Sequence, residues 1–286
     1  MKTKELLKTL FTGKNTVRLE KVSSTNLVAS EQILAHHPPD GTAVLANFQA
    51  AGKGQAGTNW ESEAGKNLLV SYIFYPAFIE PRDLFALNKA ITLGVYDYIK
   101  SVLKAHVSIK WPNDIFYRDK KIAGILIENS VTFSEVNHSV VGIGINVNQQ
   151  KFKSYIPEAE SFRNITKQKY DVQKCFAGLS NCLEVRYLQL KRGGHRSIHS
   201  DYINAMYRFR EFFYFRKKGI IFKARIIGVS EDGKLVLEDE KGKPETFRLK
   251  ELAFVIHSPN QWQKNITGRK EKKKKIQTLL SAANNS

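Results

Sequence analysis

Three stretches of the chain hold residue types and spacings that could bind and activate an anionic substrate. In Gly52-Lys53-Gly54-Gln55-Ala56-Gly57 the glycines let backbone N–H groups turn toward one point, and Lys53 adds charge there. The G-x-G-x-x-G pattern does not fit dinucleotide binding, because Trp60, Glu61 and Ser62 lead toward a strand and not a helix. A surface hairpin loop is the plainer reading. Lys110-Trp111-Pro112-Asn113-Asp114 makes a turn whose Asn and Asp can bond the backbone. Lys121 follows at the start of the apolar run Ala123-Gly124-Ile125-Leu126, facing either solvent or a pocket. Gly142 and Gly144 interrupt a strand pattern in Gly142-Ile143-Gly144-Ile145-Asn146-Val147-Asn148. Such glycines mark the close approach of a ligand or another backbone, or a simple bulge.

Alternating residues 16–22 predict a strand, followed by cap candidates Ser23, Ser24 and Thr25 for a helix to about His36. Ala43–Phe48 and Leu68–Tyr75 read as strands flanking the polar stretch Gln49–Asn67. From Pro81, apolar residues at Leu84, Leu87, Ile91, Val95, Ile99 and Val102 follow helical spacing. Val107–Trp111, Ile115–Tyr117, Ile122–Glu128 and Val136–Val147 read as an antiparallel meander, with a turn at Arg118-Asp119-Lys120. Helices are expected over Val172–Leu190 and around Tyr202–Phe209. The period then changes to three or four short strands with turns at Glu231-Asp232-Gly233 and Lys241-Gly242-Lys243. The layout is an α+β domain, a short helical connection and a small β-barrel.

The 286 residues allow one large domain, or one plus a small one. The longest near-apolar stretch, Leu68–Ile79, contains Pro76 and is too short to span a bilayer, so no membrane partner is expected. The lysine-dotted N-terminus lacks the apolar core of a signal peptide. Cys175 and Cys182 alone suit a reducing, cytoplasmic setting. No fixed metal site is expected, since His195 and His199 have i, i+4 spacing but lack a third ligand. Of the net charge of +18, the stretch 258–286 supplies seven Lys and Arg against one Glu. Its RKEKKKK block has no apolar recurrence and reads as a solvated, disordered tail and not as a nucleic-acid site.

Taken in order, Ser24-Thr25-Asn26, GKGQAGTNW, KWPND with Lys121 and AGIL, and GIGINVN resemble a biotin–protein ligase, specifically the biotin–[acetyl-CoA-carboxylase] ligases. The resemblance covers most of the chain except the tail. It implies an α+β fold: the mixed-sheet catalytic core of the class II synthetase-like biotin/lipoate ligases, plus a small C-terminal SH3-like barrel. The expected domains are a 1–15 extension, a 16–210 catalytic domain, a 211–257 SH3-like domain and a 258–286 basic tail. The 15 residues before Thr16 are too few for the winged helix of repressor members, so a form without DNA binding is expected.

The resemblance further implies a two-step reaction. Biotin and ATP with Mg²⁺ give biotinyl-5′-AMP, which then acylates one lysine of a biotin carboxyl carrier protein. Joining two anions needs positive charge and oriented donors. Ser24, Thr25, Asn26 and Gln49 are the implied biotin-head contacts, and Gly124 lets a strand approach biotin. Gly52, Lys53, Gly54 and Gln55 form the loop over the adenylate. Lys121 stabilises the charge at phosphorus. Trp60 lies near adenine, and Asn146 is a candidate reader of its edge. Asp114 either supports Lys121 or orients the acceptor lysine. The best-known form of the motif has arginines where this chain has Lys53 and Gln55. The rival readings are a lipoate or octanoate ligase on the same fold and an idle basic interaction protein.

Overall fold

Alternation in the first two strands decides which side of the sheet is which. The computed structural model describes residues 7–153 and 159–256. The basic tail and its lysine run lie outside the described residues. In chain order the elements are β1 (Thr16–Val22), α1 (Thr25–His36), β2 (Thr42–Gln49), β3 (Leu68–Phe74), α2 (Leu84–Leu103), β4 (Val107–Lys110), β5 (Asp114–Tyr117), β6 (Lys120–Val131), β7 (Val136–Ile145), α3 (Phe162–Thr166), α4 (Val172–Lys191), α5 (His195–Asn204), β8 (Phe212–Lys217), β9 (Ile220–Val229), β10 (Leu235–Asp239), β11 (Pro244–Phe247) and β12 (Ala253–Phe254). A 3₁₀ turn at Pro81–Asp83 leads into α2, as suits a proline at a helix start.

The first sheet has the order β1-β2-β3-β7-β6-β5-β4. Its β1–β2 pair is parallel, and its remaining pairs are antiparallel. The meander expected from β4 to β7 is present. On one face α1 packs Ala29 and Ile33 against Val44, Ile73 and Val140. On the other, α2 and α4 cover Leu45, Val70, Tyr72 and Phe74. Tyr72 stacks on Phe176, and its hydroxyl lies 2.8 Å from Ser180 Oγ. Strand β3 is buried throughout because both of its faces are covered. That explains its continuous apolar run.

The last helix before the second sheet runs over His195–Asn204 and does not centre on Tyr202–Phe209. Met206 and Phe209 instead make bridges, to Ile109 and Ile226, that lead into the second sheet. That sheet has five antiparallel strands in the order β11-β10-β9-β8-β12. Its β9–β10 turn sits on the segment carrying Lys110 and Asp114. Trp111 Nε1 donates to the Gly233 carbonyl at 3.0 Å. A Cβ on Gly233 would lie 2.4 Å from Phe85, and its φ is +86°, so both space and backbone demand glycine. Tyr202 Oη and Asn88 Nδ2 donate to the Pro112 carbonyl, at 2.7 and 3.2 Å.

The residues before β1 form a strap on α4. The N–H groups of Leu10, Phe11 and Thr12 donate to the buried Glu184 carboxylate at 2.5, 3.0 and 2.9 Å. A buried carboxylate is tolerated when it accepts several such bonds.

Candidate active site

The site lies on the α1 face of the first sheet, and strand register explains which residues reach it. Ser71 pairs with Gly142 and Leu69 with Gly144. Gly144 in turn pairs with Gly124, Gly142 with Leu126, and Val140 with Glu128. Asp114 pairs with Gly124. Because side chains alternate, these positions share one face. Lys121 would point the other way in a regular ladder. The β5–β6 register shifts between Ile115 and Phe116, so Lys121 pairs with Phe116 and turns to the pocket face. A bulge of this kind re-aims a side chain. Lys121 Nζ then lies 2.6 Å from Asp114 Oδ1, both side chains being partly exposed. Of the two roles open to Asp114, the geometry supports the first, holding Lys121.

The pocket is lined by Ser24, Thr25, Asn26, Gln49, Lys53, Gly54, Gln55, Trp60, Asp114, Lys121 and Gly124, with Leu126, Gly142 and Gly144 on its floor. Of the residues singled out from the sequence, Gly52 and Asn146 are set apart from this lining. Gly52 lies under the loop: its carbonyl accepts from Trp60 N–H at 2.8 Å. A Cβ there would meet the Trp60 carbonyl at 2.8 Å and Gln49 Nε2 at 3.0 Å. The loop folds back on itself, with Gly54 N–H donating to the Thr58 carbonyl at 2.6 Å. Asn146 lies in an adjoining pocket with Thr58, Asn59, Trp60, Glu61 and Lys121. Lys121 and Trp60 therefore stand between the two spaces, with Lys121 Nζ 5.7 Å from the indole centroid.

The strand glycines do mark close approach, and in the structure the approaching groups are side chains. A Cβ on Gly142 would lie 2.1 Å from Asn26 Oδ1, and one on Gly144 would lie 2.4 Å from Trp60 Cε2. Gly124 clears space for Trp60 Cζ3 and for the Lys121 side chain, at 3.0 and 3.1 Å. Each glycine thus seats one of the polar or aromatic groups that shape the pocket.

At the end under α1 the polar groups are bonded to one another. Gln49 Oε1 accepts from Thr25 N–H at 2.7 Å and lies 2.9 Å from Thr25 Oγ1. Ser71 Oγ lies 2.7 Å from Thr25 Oγ1 and 2.6 Å from Asn26 Oδ1. Asn26 Nδ2 donates to Glu128 Oε2 at 2.6 Å. Ser24 is the N-cap of α1, but its side chain makes no capping bond and lines the pocket instead. Sequence reasoning missed Ser71 and Glu128. Ser71 is hidden in an apolar run, and only the pairing of β3 with β7 reveals its neighbours. At the opposite end, Trp60 Nε1 and Asn146 Oδ1 are buried without a hydrogen-bond partner. Among the described residues no group of three or more His, Cys, Asp or Glu side chains could hold a metal ion. No described helix is long and apolar enough to cross a membrane.

Both cysteines belong to α4, on the other face of the sheet. Burial raises the Cys175 thiol above its ordinary pKa and pushes Cys182 up to about 11, helped by the charge of Asp97. Neither has the low pKa or the position of a thioester-forming nucleophile.

Known proteins resemble this chain in sequence and in fold. Residues 19–146 match the Biotin/lipoate A/B protein ligase family. The Bacillus spizizenii bifunctional ligase/repressor BirA is 29% identical over 239 residues, covering 82% of this chain and 73% of the relative. The Mycobacterium tuberculosis biotin–[acetyl-CoA-carboxylase] ligase is 29% identical over 166 residues, 57% of this chain and 60% of the relative. Among solved structures, the Aquifex aeolicus biotin protein ligase in complex with biotin and ATP superposes with a TM-score of 0.70 at 25% identity, covering 84% of this chain and 98% of that one. The mixed sheet with its helices is the fold of those ligases, and the C-terminal antiparallel sheet is consistent with an SH3-like domain. The family match over residues 19–146 and the likeness of the chain as a whole, in sequence and in fold, are both to biotin protein ligases and their relatives.

Proposed function

We propose that the chain is an ATP-dependent biotin–protein ligase. It would make biotinyl-5′-AMP from biotin and ATP and transfer the biotinyl group to a lysine of a biotin carboxyl carrier protein. One observation carries the reading: the Asp114-held Lys121 ammonium stands where two pockets of unlike chemistry meet. One pocket offers hydroxyl and amide groups suited to a ureido ring, which presents both donors and an acceptor. The other offers an unpartnered indole N–H and an unpartnered amide oxygen beside an aromatic face, suited to a nucleobase with donor and acceptor edges.

A carboxylate is a poor electrophile and needs a good leaving group. In the first step a biotin carboxylate oxygen attacks the α-phosphorus, and the bond to pyrophosphate breaks. Negative charge gathers at phosphorus, where the Lys121 and Lys53 ammonium groups can face it, the Gly54 N–H being engaged by the Thr58 carbonyl. Mg²⁺ bound to the phosphate oxygens of the ATP substrate would shield their charge. In the second step the acceptor amine attacks the acyl carbon and AMP leaves, so no side-chain nucleophile is required of this chain. Ser24, Thr25, Asn26 and Gln49 are assigned to the biotin head. Gly52, Lys53, Gly54 and Gln55 are assigned to the loop over the adenylate, Gly124 to the strand that approaches biotin, and Trp60 and Asn146 to adenine.

The test is ATP–pyrophosphate exchange with biotin, lipoate or octanoate supplied singly. It is followed by transfer of labelled biotin to a purified carrier domain. Exchange driven by biotin alone, with labelled carrier, is the expected result. Exchange driven by lipoate and not biotin would reassign the substrate, and exchange with neither would reject the ligase reading.

A further inference from the structure

The pocket beside Trp60 is built from two stretches of chain that the sheet does not hold together. Strands β3 and β7 make their last pair at Leu68 and Ile145. Past that rung one stretch runs back to Trp60, and the other runs on through Asn146 to Phe152. Thr58, Asn59, Trp60 and Glu61 from the first, and Asn146 and Phe152 from the second, line the same pocket. One more backbone bond joins them, from Asn148 N–H to the Lys66 carbonyl at 2.8 Å. Beyond it, side chains set the spacing.

Gln149 takes over where the ladder stops. It is fully buried, and it is not part of the pocket lining. A glutamine amide has two acceptor sites and two donor sites, and here each has a partner. Oε1 accepts from Glu63 N–H at 3.0 Å and from Asn67 Nδ2 at 2.6 Å, both on the loop side. Nε2 donates to the Lys151 carbonyl at 2.9 Å and lies 3.4 Å from Glu61 Oε1 across the gap. Glu61 in turn accepts from Lys153 N–H at 3.2 Å, and Asn67 Oδ1 accepts from Val147 N–H at 3.1 Å. The amide cannot be reversed, because the Glu63 N–H needs an acceptor and the Lys151 carbonyl needs a donor. The front of the loop is rooted elsewhere. Ala50 and Ala51 N–H donate to the Val22 and Ser23 carbonyls at 2.9 Å, and the Gly54, Thr58 and Trp60 N–H groups are bonded within the loop.

We propose that Gln149 is a positioning residue for the nucleotide, which sets the spacing between the Trp60 and Asn146 sides of the pocket without touching what binds there. The proposal rests on the adenine reading of that pocket.

Gln149→Met keeps the length of the side chain and removes its bonds to both stretches. In biotin-dependent ATP–pyrophosphate exchange, KM for ATP is expected to rise about tenfold, the weight of one net hydrogen bond at the ligand. Biotin Kd by calorimetry should stay within about threefold, because the front of the loop keeps its own roots. A merely structural role gives another pattern. A less stable protein has a smaller folded fraction, which lowers apparent kcat and leaves both constants in place. Asn148→Ala is the matched control. Asn148 is also buried, and its amide bonds the Tyr170 backbone, away from the loop, at 2.8 and 2.9 Å. Its loss should lower the melting temperature and leave KM for ATP within about twofold.

Gln149→Glu keeps the shape and both accepted bonds, cannot donate, and sets its charge against Glu61. It is expected to raise KM for ATP as well, and it reads the clamp if Gln149→Met does not fold. The double variant Gln149→Met/Asn146→Ala should cost ATP less than the product of the single losses, since a misplaced Asn146 has less to lose. An unchanged KM for ATP in a folded Gln149 variant would overturn the proposal. So would an equal loss of biotin, an equal rise in Asn148→Ala, or fully multiplicative losses in the double variant. A wild type without biotin-dependent exchange would instead reject the ligase reading beneath it.

Discussion

The two ends of the pocket are built on opposite plans. Under α1, Glu128, Asn26, Ser71, Thr25 and Gln49 bond one another in a continuous run. Across Lys121, Trp60 Nε1 and Asn146 Oδ1 are buried with no partner. The first end carries its order before any ligand arrives, so binding there gives up little side-chain freedom. The second stores a penalty of about 1–3 kcal/mol for each unpaired buried group. A ligand that supplies the missing partners recovers it. One end therefore holds its polar groups to one another, and the other leaves two groups for a ligand to pair.

Lys121 lines both ends, so on the proposed ligase reading its loss should produce the largest effect. Lys121→Ala is expected to lower the rate of adenylate formation at least about 100-fold, or about 2.7 kcal/mol. Unchanged single-turnover adenylation would remove Lys121 from the chemistry. Lys121→Arg should not restore the full rate, because a planar fork replaces a compact charge beside Asp114.

Asn146→Ala separates the ends. It deletes the unpartnered oxygen, and KM for ATP should rise by up to about tenfold while biotin Kd stays put. A loss shared equally by biotin and ATP would erase the contrast. Gln55→Arg sharpens it from the loop. A charged hydrogen bond to the phosphate is worth about 1 kcal/mol more than a neutral one, so release of labelled biotinyl-adenylate should slow about fivefold. Equal or faster release would mean that the loop is held by its backbone and Lys53.

The smallest effect comes from a region belonging to neither end. Lys89 on α2 is buried, with Nζ 3.2 Å from His199 Nδ1 on α5. Burial, and next the Lys89 charge, hold the His199 pKa below its ordinary value of 6.5, with Glu231 opposing. Burial likewise lowers Lys89. As pH falls through 6.5, the unfolded chain takes up the His199 proton before the folded one does, so folded stability declines. The melting temperature should therefore fall between pH 7 and 5.5, and His199→Gln should flatten that slope. A slope unchanged by His199→Gln would place the titration elsewhere.

Much of the first sheet was legible in the sequence because its strands have alternating or wholly apolar patterns. The strand expected over 16–22 is found at Thr16–Val22, and that over Leu68–Tyr75 at Leu68–Phe74. The helix placed around Tyr202–Phe209 was displaced, because His195–Asn204 shows little apolar recurrence to announce it. The five-residue α3 is too short to carry a period. In the site, Lys121 was legible by type and context, and the bulge that turns it inward was not, since register is a property of two strands. Ser71 and Glu128 escaped for the same reason. A serine in LLVSYIF looks like filler until β7 and α1 are laid against it.

The strap on Glu184 has a consequence for how the chain is made. Leu10, Phe11 and Thr12 leave the ribosome early, yet the carboxylate that receives their N–H groups lies 172 residues or more downstream. At about 5–20 residues per second, that interval is about ten to thirty-five seconds. Throughout it these three N–H groups lack their acceptor, while the bond from Gly13 N–H to the Gly41 carbonyl and the β1–β2 pair are already free to form. The part synthesised first is therefore among the last to be secured. During synthesis, a chaperone or protease meets Leu10, Phe11 and Thr12 without the carboxylate that holds their N–H groups in the finished protein.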